Sequence, residues 1–136
     1  MRTLARLQLQ HMPSAREDYL LRLIQQMASL ARRLRERLLG GDPDEASDVE
    51  REAGTAIGEL LGPQAGLLGA LDPASAVRLA GGAERLGAWI SLLRVQGEAR
   101  RVRGDQQGAA RLEGRADALE RAGRAAFGDA LPATER

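Results

Sequence analysis

The strongest constraint in this chain is a helical pattern that is apolar on two sides. From Ala83 onward, Leu86, Trp89, Ile90, Leu93 and Gly97 recur on one helical face, while Leu92, Val95, Ala99 and Val102 recur on another. A surface helix carries one apolar stripe; a helix with two must be sandwiched between neighbours. Gly104-Asp105 then supplies a tight turn, and Ala109, Leu112, Ala116, Leu119, Gly123 and Phe127 form the single stripe of a second helix. Residues 89–127 thus read as a close-packed helical hairpin on which the other helices lean.

Those other helices have clear starts and stops. Ser14-Ala15-Arg16-Glu17 is a capping box, in which the Ser14 hydroxyl accepts from the Glu17 amide and the Glu17 carboxylate accepts from the Ser14 amide. Leu20, Ile24, Met27, Ala31, Leu34 and Leu38 follow at three- and four-residue steps, widened by Leu23 and Leu30, and Gly40-Gly41 ends the helix. Asp42-Pro43 opens the next one, with Asp42 as cap and Pro43 at the first helical position. Its buried stripe is Ala46, Val49, Ala53, Ile57 and Leu60. Gly54, Gly58 and Gly62 recur every fourth residue, a small-residue face expected to admit a neighbouring helix at close range. Gly62-Pro63 breaks this helix, Leu67, Leu68 and Leu71 mark a short apolar turn or two, and Asp72-Pro73 starts a short helix that ends at Gly81-Gly82. The expected fold is all-α: a compact antiparallel bundle of about five helices closed by the hairpin. Residues 13–128 are expected to form one domain, with 1–12 a weakly ordered extension and 129–136 a frayed tail.

Composition narrows the function. The chain has no Cys, which removes disulfides and thiolate metal sites. Every basic residue is Arg, and the net charge is only +1, so no global field points to nucleic acid or a membrane surface. The charge is uneven, however. Residues 1–40 carry eight Arg against three acids, and residues 41–72 carry one Arg against eight acids, so the two segments are expected to lie against each other. No apolar run reaches the ~20 residues needed to span a bilayer. Residues 1–12 lack the compact apolar core of a signal peptide, and a cytoplasmic location is expected.

The hairpin resembles a degenerate tetratricopeptide (TPR) unit. Leu93 sits at the first apolar anchor and Gly97 at the small position four residues on; Gly104-Asp105 matches the inter-helix turn, and Ala109 and Ala116 match the small residues of the second helix. The sequence departs from the pattern at Arg100, where an aromatic is usual, and at Glu113, where a large residue is usual; no Pro closes the unit. Residues 12–127 also resemble a small uncharacterised bacterial family. That family opens with a D-Y-L-L-R-x-I helix, here residues 18–24, and carries an L-x-P step, here Leu71-Asp72-Pro73. The first resemblance implies a helical hairpin of the kind used in protein interaction. The second implies no activity.

Catalytic parts are sparse. His11 is the sole histidine, and no Asn, nucleophile elbow, zinc-binding helix motif or phosphate loop is present. The chain is expected to be no enzyme and to carry no cofactor, metal or small-molecule substrate. A non-catalytic interaction or structural module is the expectation, its partner an unidentified protein or a second copy. The Gly54/Gly58 face and the leucine stripe of the first helix are the candidate patches for self-association. The alternative is a nucleic-acid binder that uses Arg94, Arg100, Arg101, Arg103 and Arg111 around the hairpin. Against it, residues 83–128 hold nine Arg but also six acids.

Overall fold

A computed structural model describes residues 14–134 of the chain. Its helices begin where the capping chemistry places them. Helix α1 spans Ala15–Arg37, and the Ser14–Glu17 box is formed in both directions, at 3.1 and 3.2 Å. Helix α2 spans Pro43–Leu61, capped by Asp42, whose carboxylate accepts from the Asp44 amide at 2.9 Å. A 3₁₀ turn at Gly62–Gln64 leads into the short α3, Ala65–Ala70, and then α4, Pro73–Leu79, capped by Asp72. Helix α5 covers Ala83–Val102 and α6 covers Gln106–Phe127. No strand occurs among the described residues. The chain folds as an all-α bundle.

Helix α5 is the axis of this bundle. It packs against α6 most extensively, then α2, then α1, and this is why its sequence is apolar on two sides. Eleven of its twenty residues are buried. Cross-helix pairs give the directions. Glu50 reaches Arg100 and Arg103, and Leu60 meets Arg85, so α2 runs antiparallel to α5. Arg94 meets Asp117 and Arg101 meets Glu113, so α6 does as well. Helix α1 runs in the same sense as α5, and α4 covers α6. The organising element is narrower than the expected hairpin: α5 alone contacts three long helices, whereas α6 holds one flank.

The charge segregation between residues 1–40 and 41–72 is resolved as contact. Helices α1 and α2 pack together, and Arg37 of α1 binds both Glu45 and Glu52 of α2. Those two carboxylates raise the Arg37 pKa above its ordinary value.

Two expectations are corrected. First, the small-residue face of α2 admits no close neighbour at Gly58. A Cβ at Gly58 would meet nothing within 4 Å, and one at Gly54 would meet only the Gln96 amide nitrogen at 3.2 Å. Gly62 instead ends the helix with a φ of 66°. The close approaches are made by Gly97 and Gly123 on the hairpin. A Cβ at Gly97 would lie 3.1 Å from Glu113 Cγ, and one at Gly123 would lie 2.7 Å from Leu86 Cδ2. Second, residues 129–134 of the expected frayed tail pack on the bundle. A 3₁₀ turn, Gly128–Ala130, folds it back, Leu131 is buried to 1% exposure, and Pro132 lies on Gly87. The Arg124 guanidinium donates to the Leu131 carbonyl at 2.8 Å, and the Thr134 hydroxyl to Glu120 at 3.2 Å. The expectation for residues 1–12 lies outside the described residues.

Candidate interaction surface

The arginines of the hairpin do not form one open face. Arg94 is 4% exposed, in the α5–α6 seam, where its two terminal nitrogens bind Asp117 at 2.8 Å and Glu120 at 2.7 Å. Its Nε is buried without a hydrogen-bond partner. As a candidate contact residue Arg94 is therefore corrected to an internal one. Its position was legible in principle, because it stands between the two apolar faces of the sandwiched helix, and a long cation there must find acids on a neighbour.

Arg100 binds Asp105 and Glu50, both at 2.8 Å, and these partners raise its pKa, the hydrogen bond to Asp105 being the largest single cause. Arg103 takes the other oxygen of Glu50 at 2.6 Å. Arg101 binds Glu113 at 2.7 Å, which raises the pKa of Arg101, and also the Gln106 amide oxygen at 2.8 Å. Arg100 thus ties α5 to α2. Arg111 is exposed, on the outer side of α6. The structure brings Arg100 and Arg103 together on Glu50, turns Arg101 toward Glu113 of α6, and separates Arg94 from them by burial. Gly54 and Gly58 lie on α2, Gly58 facing open space.

Sequence reasoning missed the arginines that bind backbone. Arg85 Nε donates to the Leu60 carbonyl at 2.7 Å, and an Arg115 terminal nitrogen donates to the Leu68 carbonyl at 2.9 Å. Each satisfies a carbonyl left without an intrahelical partner near a helix C-terminus and sets a cation against the negative end of the dipole. Arg115 also covers the Trp89 ring, 5.9 Å from its centroid. Trp89 itself is buried.

The open surface lies elsewhere, along α1. None of its residues before Met27 is buried, although the apolar stripe already runs through Leu20, Leu23 and Ile24. Tyr19 is 61% exposed and Leu21 43%. The first half of α1 carries a core-type stripe that its own bundle only partly covers. Beside it runs a groove of about 370 Å³. One wall is α1, with Ile24, Gln25, Ala28, Ala31, Arg32 and Arg35; the other is the start of α5, with Glu84, Gly87, Ala88 and Ser91; Pro132, Ala133 and Thr134 form the rim. Small residues, Ala28, Ala31, Gly87, Ala88 and Ser91, alternate on the walls with Ile24, Gln25, Arg32, Arg35 and Glu84. A second cleft, of about 290 Å³, is lined by four charged residues, Arg94, Glu98, Glu113 and Asp117.

Among the described residues, no three His, Asp or Glu side chains gather in a way that could hold a metal ion. No described helix is long and apolar enough to cross a membrane. Compared with protein-family models, with curated proteins and with solved structures, the chain matches none. Fold and surface together define a class: an all-α bundle with one long helix half uncovered beside a groove of mixed small and charged residues.

Proposed function

We propose that the protein is a non-catalytic helical interaction module that receives a partner helix in the groove between α1 and α5. The observation that carries this reading is the apolar stripe of α1, which begins about two turns before its own bundle covers it. Uncovered apolar surface of this kind marks interaction sites, and a groove flanked by it suits an amphipathic helix. The TPR-like character of the hairpin belongs to the same proposal. Support for it comes from the close approach of Gly97 to α6 and from the burial of Ala109 and Ala116.

The alternative, nucleic-acid binding through the hairpin, has less support, because Arg94, Arg100, Arg101 and Arg103 are each ion-paired with carboxylates. Phosphates would have to displace those partners. A photo-cross-linking residue at Gln25, on the groove wall, tests the choice in cells. Adducts to polypeptide are expected at position 25 and not at Arg121 on the outer face of α6. Adducts to nucleic acid, or equal yields at the two positions, would overturn the proposal.

A further inference from the structure

Taking the groove as a helix-binding surface, we infer that the helix it receives is α1 of a second copy of this chain, laid antiparallel. This inference rests on the reading above and commits it to one occupant. The observation behind it is the order of side chains on the face of α1 that enters the groove at Ile24, Ala28 and Arg32. Glu17, Leu21, Ile24, Ala28 and Arg32 follow at steps of four, three, four and four, which is one continuous helical face. An acid stands at its start, apolar residues fill its middle and an Arg closes it. Such a face is self-complementary in one direction only. About a twofold axis near residues 24 and 25, Glu17 meets the partner's Arg32 at one end and Arg32 meets the partner's Glu17 at the other, so both pairs form at once. Leu21 then faces the partner's Ala28. A parallel arrangement would set Glu17 against Glu17.

The groups that must meet are available. Glu17 and Arg32 are exposed. The Glu17 carboxylate accepts from the Ser14 amide at 3.2 Å, and Arg32 donates to the Ser29 hydroxyl at 3.2 Å. A carboxylate has about four acceptor sites and a guanidinium five donors, so each keeps capacity for the other. Ala28, Gly87, Ala88 and Ser91 present little bulk to an incoming helix. The contact is isologous, as a twofold dimer requires. It extends over roughly 22 Å, the rise between residues 17 and 32, which is a small interface and implies association that depends on concentration.

The test is the mass of the purified full chain by light scattering across concentration, with helix content followed by circular dichroism. The wild type should rise from 14.6 kDa toward twice that value. Leu21→Glu, at an exposed position, should hold it at the monomer mass with helix content unchanged. Glu17→Arg and Arg32→Glu each turn both end contacts repulsive and should each weaken self-association about tenfold. Mixing the two variants one to one restores both attractions, and a heterodimer as tight as the wild type should form. Wild-type protein that stays monomeric throughout, or a mixture no tighter than its components, overturns the inference. If position 25 still cross-links to a different polypeptide in that case, the interaction reading stands and only the second copy falls. Loss of all polypeptide adducts would remove both.

Discussion

At the scale of single residues, the main lesson is where the cations go. A protein with only Arg as its basic residue and a net charge of +1 could display its arginines or bury them in pairs. Here several of them bind α-helices to one another. Arg94 holds α5 to α6, Arg100 and Arg103 hold α5 to α2 through Glu50, and Arg85 and Arg115 bind the carbonyls that end α2 and α3. Arg94 is the most buried of these. Replacing it by Ala removes packing as well as charge and leaves Glu120, largely buried, without its closest cation. Arg94→Ala should therefore lower stability by about 2–3 kcal/mol in urea unfolding. Arg94→Met refills the volume without a charge and should recover most of that loss, since replacing a buried ion pair by apolar packing is often nearly neutral.

At the scale of elements, the α5–α6 turn shows how local chemistry and tertiary contact reinforce each other. Gly104 takes a φ of 85°, a left-handed conformation that a side chain would strain. Asp105 then caps α6 by accepting from the Gly108 amide at 2.9 Å and also binds Arg100. The guanidinium first, and the amide second, hold the Asp105 carboxyl below its ordinary pKa. Because that pKa is depressed in the folded state, its contribution to stability is fully present above the ordinary carboxylate range and disappears as pH falls through the depressed value. Asp105→Asn keeps a capping oxygen but loses the charge. The gap in urea midpoint between wild type and variant should be widest near neutral pH and close as pH falls below the ordinary carboxylate range and the wild-type carboxylate is protonated. A gap that stays constant over that range would show that the ion pair contributes nothing.

At the scale of the whole molecule, the bundle is closed by a segment that its sequence marks as a tail. After Phe127 the chain offers Gly, Asp, Ala and Pro, which read as an end. The fold instead sends Leu131 into the gap between α5 and α6, where it meets the position that Gly123 leaves open beside Leu86. Leu131→Ala should lower stability by about 2–3 kcal/mol, the loss typical of a large buried side chain cut to Ala, read as a shift in urea midpoint. An unchanged midpoint would mean that the segment leaves the bundle.

The sequence by itself determined the helices, their limits and the central place of α5. Capping boxes, Asp-Pro starts and paired glycines act over three or four residues, and the apolar period of a helix needs no partner to be read. It also determined that α1 and α2 would meet, because opposite charge was segregated between them. Tertiary structure decided what those rules cannot reach. Which small residues allow close approach depends on the helix opposite, so Gly97 and Gly123 are filled by neighbours while Gly58 is not. Which arginines are spent internally depends on acids twenty to fifty positions away. Whether a stripe is buried depends on how far the covering helices extend, and the bundle stops covering α1 before the stripe ends.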